Sequence, residues 1–197
     1  MPLADGSVVK APEDINEHCL VLMADIFPTG FFAAQNGFKH FKKEQIPDLT
    51  VVVMGCGPVG LCALINAEEY KPKNLLAVDS VPARLELAKS LGAEPWNFQT
   101  DREGLEKRVK ELTDGRGADI VIEVVGLSPA LKMAFDLLRP WGVISSVGVH
   151  NAEVNPIFYL RMRCELPLLT NLDIPRSHGM ETRRMARISR SKWDDVR

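Results

Sequence analysis

The residues of this sequence best placed to do chemistry have no side chains. Gly55, Gly57 and Gly60 stand at the spacing G-x-G-x-x-G in GCGPVG. Between a strand and a helix, such glycines cradle a pyrophosphate. The first permits the tight turn, the second lets backbone approach the ligand, and the third lets the helix lie close to the sheet. Amides at the helix N-terminus and the positive end of its dipole then face the phosphates. Pro58 and Val59 lie inside the same turn, and proline suits a first helical position, where its missing N–H is no loss. Asp79 follows about 20 residues on, where a carboxylate accepts hydrogen bonds from a ribose 2′-hydroxyl and repels a 2′-phosphate. That points to NAD rather than NADP. Read alone, the glycines are a tight turn and Asp79 a solvated strand-end acid; strand, turn, helix and acid in register favour the dinucleotide.

Those residues need elements to hold them. TVVVM (50–54) is an apolar, β-branched run of the kind buried on both sheet faces. A helix is expected from Pro58 to about Tyr70, a second strand at 75–79, and a helix opened by Pro82 and closed by Gly92 in a left-handed conformation. EPWNF is a weak third strand. Leu105, Val109 and Leu112 share one face of a third helix, and DIVIEVV (119–125) is a fourth strand. Ser128 reads as N-cap and Pro129 as first position of a helix whose buried face holds Leu131, Ala134, Phe135 and Leu138. GVISSV (142–147) is a fifth strand. Alternating strands and helices imply right-handed crossovers and a doubly wound parallel α/β sheet. Upstream, residues 13–24 read as an amphipathic helix, and Thr29 as the start of another at TGFFAAQ.

At this point the chain resembles a known family. VVVMGCGPVGL, AVDSVPARLELAKSLGAE, GADIVIEVVG and ALKMAFDLLRPWGVISSVGV, in that order, are similar to the coenzyme domain of medium-chain, zinc-type alcohol dehydrogenases, over roughly residues 8–150. ADIFPTGFFAAQ resembles the junction between that family's catalytic and coenzyme domains, and its Asp resembles the formaldehyde dehydrogenase-like branch. The resemblance implies a Rossmann domain that binds NAD(H), in enzymes where zinc polarises an alcohol and hydride passes to nicotinamide. It puts Asp25 at the position of a third zinc ligand, Thr29 beside the nicotinamide, Arg84 near the adenosine ribose, and Val125, Val147 and Gly148 among the cofactor-binding positions. Against these stand simpler readings: Asp25 as a solvated helix-terminal acid, Arg84 as a solvated helix residue. One carboxylate does not make a zinc site, which needs about three protein ligands, so stoichiometric zinc is not expected here, although full-length relatives hold it.

The pattern departs from the family after Val149. The sheet is therefore expected to be incomplete at its C-terminal strand, in a fragment or frame-altered version of a longer chain. Three parts are expected: 1–44 a remnant of the catalytic-domain junction, 45–150 the NAD-binding domain, and 151–197 an atypical basic tail, partly disordered. From Ile174 the tail has few large apolar side chains to offset the entropy of ordering. Phe27, Phe31, Phe32 and Phe38 surround the junction and, if exposed, form a sticky patch through which a homo- or hetero-oligomer is expected.

Composition limits the classes of function. The 197 residues are 46% hydrophobic and 25% charged with a net charge of -2, which gives no overall pull toward nucleic acid or an anionic membrane. No apolar run approaches the ~20 residues that span a bilayer. Cys19, Cys56, Cys62 and Cys164 form no C-x-x-C pair, and a reduced, cytoplasmic setting follows. His18, His40, His150 and His178 are scattered and read as surface residues. The leading reading is an NAD(H)-binding domain of a zinc-dependent dehydrogenase, inactive alone. The alternative is a non-enzymatic dinucleotide-binding or interaction module that pairs with full-length relatives.

Overall fold

The computed structural model describes residue 6, residues 10–149 and the backbone of residues 168–169. Its elements are α1 (Glu17–Leu22), α2 (Ile26–Phe38), a short 3-10 turn (Ile46–Asp48), β1 (Thr50–Met54), α3 (Pro58–Glu68), β2 (Asn74–Asp79), α4 (Pro82–Ser90), β3 (Glu94–Asn97), α5 (Arg102–Leu112), β4 (Ala118–Glu123), α6 (Ser128–Leu137), β5 (Leu138–Ser146) and β6 (Leu168–Leu169). The strands form one sheet in the order β3-β2-β1-β4-β5-β6, and every pairing is parallel. The chain leaves β1 toward one edge and returns on its other side as β4. The order thus reverses between β1 and β4, where doubly wound sheets open a crevice at the carboxyl ends of their strands.

Period-two alternation sends β1 side chains to two separate cores. Val51 and Val53 pack with Phe32, Ala33, Ala34, Phe38 and Leu64 of α2 and α3 on one face. Val52 and Met54 pack with Leu105, Val109, Leu131 and Leu137 of α5 and α6 on the other. A strand buried on both faces can be apolar throughout, as TVVVM is, and all five of its residues are buried. Gly92 ends α4 in the expected left-handed conformation, with φ 92°.

Several local expectations shift. α1 covers only half of residues 13–24, because the Asn16 side chain caps it by accepting from the His18 N–H at 2.9 Å. α2 begins at Ile26 with Asp25 as N-cap, so Thr29 sits inside the first turn rather than opening the helix. Leu127, not Ser128, is the N-cap of α6. β5 starts at Leu138, directly after α6, and its pairing with β4 shifts register between Ala118 and Ile120. The extra length bulges out around exposed Trp141, at φ 61°. At the C-terminal edge of the sheet the described part of β6 is two residues, Leu168 and Leu169, which pair with Ile144 and Ser145. The tail from residue 174 lies outside the described residues.

The four phenylalanines of the junction are buried, and the sticky patch they were expected to form is not there. α2 is covered on two sides. Phe32 and Phe38 face β1 and α3, while Phe27 and Phe31 pack with Cys62 and with Leu22 and Met23. The close approach of α2 to α3 rests on Gly30, where a Cβ would come 2.7 Å from both the Ala63 nitrogen and the Cys62 Cβ.

The lower end of the sheet is tied by a polar cluster of distant residues. Buried Asp119 accepts from the Thr50 backbone N–H at 2.8 Å and from Arg139 Nε at 2.5 Å. Asn74 Nδ2 donates to Thr50 Oγ1 at 2.9 Å. One carboxylate thus joins β1, β4 and β5, and the Asn74–Thr50 bond adds β2.

Candidate functional site

The site lies at the carboxyl ends of β1, β2, β4 and β5. Gly55 follows β1 at φ 94°, a conformation glycine adopts without strain. Its N–H donates to the Val78 carbonyl at 2.8 Å, which continues the ladder one residue past the strand. Gly60 lies in the first turn of α3, and a Cβ there would stand 1.8 Å from the Gly55 carbonyl oxygen. The helix can start this close to the strand only because position 60 is bare.

Gly57 is different. It is the N-cap of α3, with φ -70° and ψ -175°, extended backbone open to any residue. Among the described residues nothing lies within 4 Å of a Cβ built on it. Pro58 begins the helix without an N–H. Among the described residues no side chain caps the amides at the N-terminus of α3.

Asp79 ends β2 and is buried. Its Oδ2 accepts from the Cys56 N–H at 2.7 Å, and Oδ1 from Ser80 and Val81 N–H at 2.7 and 2.9 Å. Arg84 Nη1, on a half-exposed side chain, stands 3.7 Å from Oδ2. The carboxylate thus anchors the glycine turn as well as facing the crevice. Its three N–H contacts leave about one of roughly four acceptor positions for a further donor. Burial pushes the Cys56 thiol up to about 12, reinforced by the Asp79 carboxylate and opposed by Arg84. Cys56 is therefore a packed thiol and not a nucleophile. Cys62 is likewise raised to about 12 by burial.

Across the crevice, Val125, Val147 and Gly148 lie on adjoining segments after β4 and β5. The Val147 and Gly148 N–H groups donate to the Glu123 carbonyl at 2.9 and 3.3 Å. Val147 is buried and Val125 exposed. Glu123 itself is a completely buried carboxylate that the reading of motifs overlooked. Its signal was present: an acid at the end of a strand with no other charge after Asp119, in DIVIEVV.

Asp25 and Thr29 are in contact, the Thr29 hydroxyl donating to Asp25 Oδ1 at 2.9 Å. They stand at the start of α2. Among the described residues no three His, Cys, Asp or Glu side chains gather as a metal would require, so Asp25 is not part of a set of ligands there and the described residues do not fit a zinc site. Also among the described residues, no helix is long and apolar enough to cross a membrane.

A parallel α/β sheet with a glycine turn at its switch point defines the Rossmann class of domain. Residues 58–189 match the profile of the zinc-binding dehydrogenases, and the chain belongs to that family. The match runs well past Val149, where the reading of the sequence ended the resemblance. The chain is 76% identical over 154 residues to zinc-type alcohol dehydrogenase B of Aspergillus flavus, covering 78% of this chain and 36% of that protein. It is 50% identical over 154 residues to the medium chain reductase/dehydrogenase ucsI of Acremonium sp, covering 78% of this chain and 53% of that one. Among solved structures, the apo zinc dependent alcohol dehydrogenase 2 from Streptococcus pneumonia superposes with TM-score 0.78 at 31% identity, over 98% of this chain and 52% of that one. Alcohol dehydrogenase TADH from Thermus sp. ATN1 gives TM-score 0.74 at 30% identity, over 92% and 50%. The chain thus spans between about a third and a half of the length of these relatives. It is a domain of the zinc-type alcohol dehydrogenase-like family.

Proposed function

We propose that residues 45–150 bind NAD(H), as the coenzyme domain of a zinc-dependent alcohol or aldehyde dehydrogenase-like oxidoreductase, and that this chain alone binds the dinucleotide without oxidising alcohols. Gly57 carries the reading. Its backbone angles suit any residue and no described residue fills the space beside it, so no contact among the described residues asks for glycine there. A ligand pressed against the turn does, and the uncapped α3 N-terminus suits a pyrophosphate. Gly55, Pro58, Val59 and Gly60 build that turn. Asp79 and Arg84 take the adenosine ribose, and Thr29, Val125, Val147 and Gly148 border the nicotinamide. Zinc, where a complete site holds it, polarises the alcohol oxygen and lowers its pKa. In the described residues Asp25 is the sole candidate from the family pattern.

The test is NADH formation from a panel of alcohols and formaldehyde, with zinc added, alongside calorimetric titration with NAD. The expected result is binding without turnover. Any sustained turnover overturns the second half of the proposal. Turnover that Asp25→Ala abolishes would mean that the other zinc donors come from a second chain or from residues outside those described. No NAD binding overturns the whole reading.

Cofactor choice gives a further expectation. NAD should bind at least about tenfold more tightly than NADP, because a 2′-phosphate would meet the buried Asp79 charge at close range. Asp79→Asn is the cleaner variant, since Asn keeps one oxygen for the Ser80 and Val81 amides, whereas Ala removes the anchor of the turn altogether. It should narrow the preference to within about threefold by freeing Arg84 for the phosphate. Parallel titrations with both cofactors decide it; tighter NADP binding by the unaltered chain contradicts the expectation.

A further inference from the structure

Glu123 has the environment of a group held for a purpose. It is completely buried at the end of β4, where a carboxylate survives only if its oxygens are hydrogen-bonded. Oε1 accepts from the Val125 and Gly126 N–H groups at 2.8 and 2.7 Å. Oε2 accepts from the Ser146 hydroxyl at 2.6 Å. Its main-chain carbonyl takes the Val147 and Gly148 amides from the other side. One residue thus binds both segments that leave the sheet beside the switch point, after β4 and after β5.

The two segments meet backbone to backbone. A Cβ on Gly148 would lie 2.1 Å from the Gly126 nitrogen, and one on Gly126 would lie 2.4 Å from the Val149 carbonyl oxygen. The result is a thin ledge that carries three exposed apolar side chains, Val125, Leu127 and Val149. The ledge touches the glycine turn, because a Cβ on Gly55 would come 2.8 Å from Val125 Cγ2. It sits across the β1–β4 crevice from Asp79. Backbone without side chains to interlock holds its shape through hydrogen bonds, and here these converge on Glu123.

We infer that Glu123 is a positioning residue. It fixes the height and tilt of this ledge, and so selectively sets the affinity for the nicotinamide half of a dinucleotide while leaving the adenosine half untouched. The inference rests on the dinucleotide reading proposed above. It goes further by assigning a role to a residue that touches no ligand and by separating the site into two halves held by different carboxylates. The adenosine half is anchored by Asp79 on β2, and the nicotinamide half by Glu123 on β4.

The test compares NADH with ADP-ribose, which lacks the nicotinamide, in calorimetric titrations of the full 197-residue chain. The unaltered chain is expected to bind NADH more tightly than ADP-ribose. Glu123→Leu, which removes every side-chain acceptor, should weaken NADH by about tenfold or more while ADP-ribose stays within about twofold. Glu123→Gln should restore NADH to within about threefold of the unaltered chain, because its amide oxygen still takes both backbone N–H groups and its NH2 can donate to Ser146. Should Glu123→Leu fail to fold, Ser146→Ala, which loses one bond from the cluster, carries the same comparison with an expected NADH-only loss of about threefold. A variant that weakens NADH and ADP-ribose together, or neither, overturns the inference and leaves the dinucleotide reading standing. So does an unaltered chain that binds NADH no more tightly than ADP-ribose. Failure of the unaltered chain to bind either compound overturns both.

Discussion

Gly60→Ala is expected to cost at least about 3 kcal/mol of stability and to take dinucleotide affinity below measurement. The new methyl would lie 1.8 Å from the Gly55 carbonyl oxygen and 2.8 Å from its carbon. Those are main-chain atoms, so no rotamer change relieves the clash. Either α3 moves off the sheet or the turn opens. Opening the turn breaks the Gly55 N–H bond to Val78 and the Cys56 N–H bond to Asp79, the second of which leaves a buried carboxylate short of a donor. Moving α3 strips Ala63 and Leu64 from the core under β1. Gly55→Ala is expected to be milder, because its nearest neighbours are the side-chain methyls of Val125 and Val124 rather than main-chain atoms, although the φ of 94° adds strain. Chemical denaturation of the two variants measures the difference. A Gly60→Ala midpoint within about 1 kcal/mol of the unaltered chain would mean that the turn yields far more easily than its hydrogen bonds imply.

Gly57→Ala should do the reverse, leaving the fold nearly unchanged and removing the ligand. Alanine fits φ -70° and ψ -175°, and its methyl meets no atom of the described residues. The stability cost is the poorer N-cap, under about 1 kcal/mol. If a pyrophosphate rests on this turn, the same methyl occupies its place. Loss of charge-assisted contacts to the α3 amides should then weaken NAD by about thirtyfold or more. Thermal unfolding and calorimetry on one sample separate the two effects. Unchanged NAD affinity would place the dinucleotide elsewhere. Together the two substitutions distinguish a glycine needed by the fold from one needed by a ligand, two residues of the same motif three positions apart.

The glycine turn, the succession of strands and helices, and the strand-end position of Asp79 were legible because each is written in consecutive residues. β-branched runs, prolines at helix starts and a glycine spacing are local signals. What stayed illegible depends on residues far apart. The four phenylalanines of α2 look like an uncovered interface in one dimension, yet they are buried because α3 and β1 fold back over one side and α1 over the other. Asp119 and Glu123 are merely two acids in a strand until Thr50 and Arg139 close on the first and Ser146 on the second. The bonding of Asp79 to Cys56 shows the same limit within the candidate site. Its place at the end of β2 is readable from spacing, but its second task as an anchor of the turn is not.

The strand order also governs the timing of synthesis. β1 sits between β2 and β4, and a ribosome delivers β2 soon after it but β4 only after the whole stretch from Met54 to Ala118. At about 5–20 residues per second, one edge of TVVVM waits roughly 3–13 seconds for its neighbour. During that interval the nascent chain carries an open, uncharged, β-branched edge, the kind of template on which neighbouring polypeptides add strands. The Thr50 amide waits equally long for Asp119. The reversal of strand order that opens a crevice for a ligand in the finished domain therefore makes the chain most vulnerable to aggregation midway through its translation, and most dependent on being shielded there.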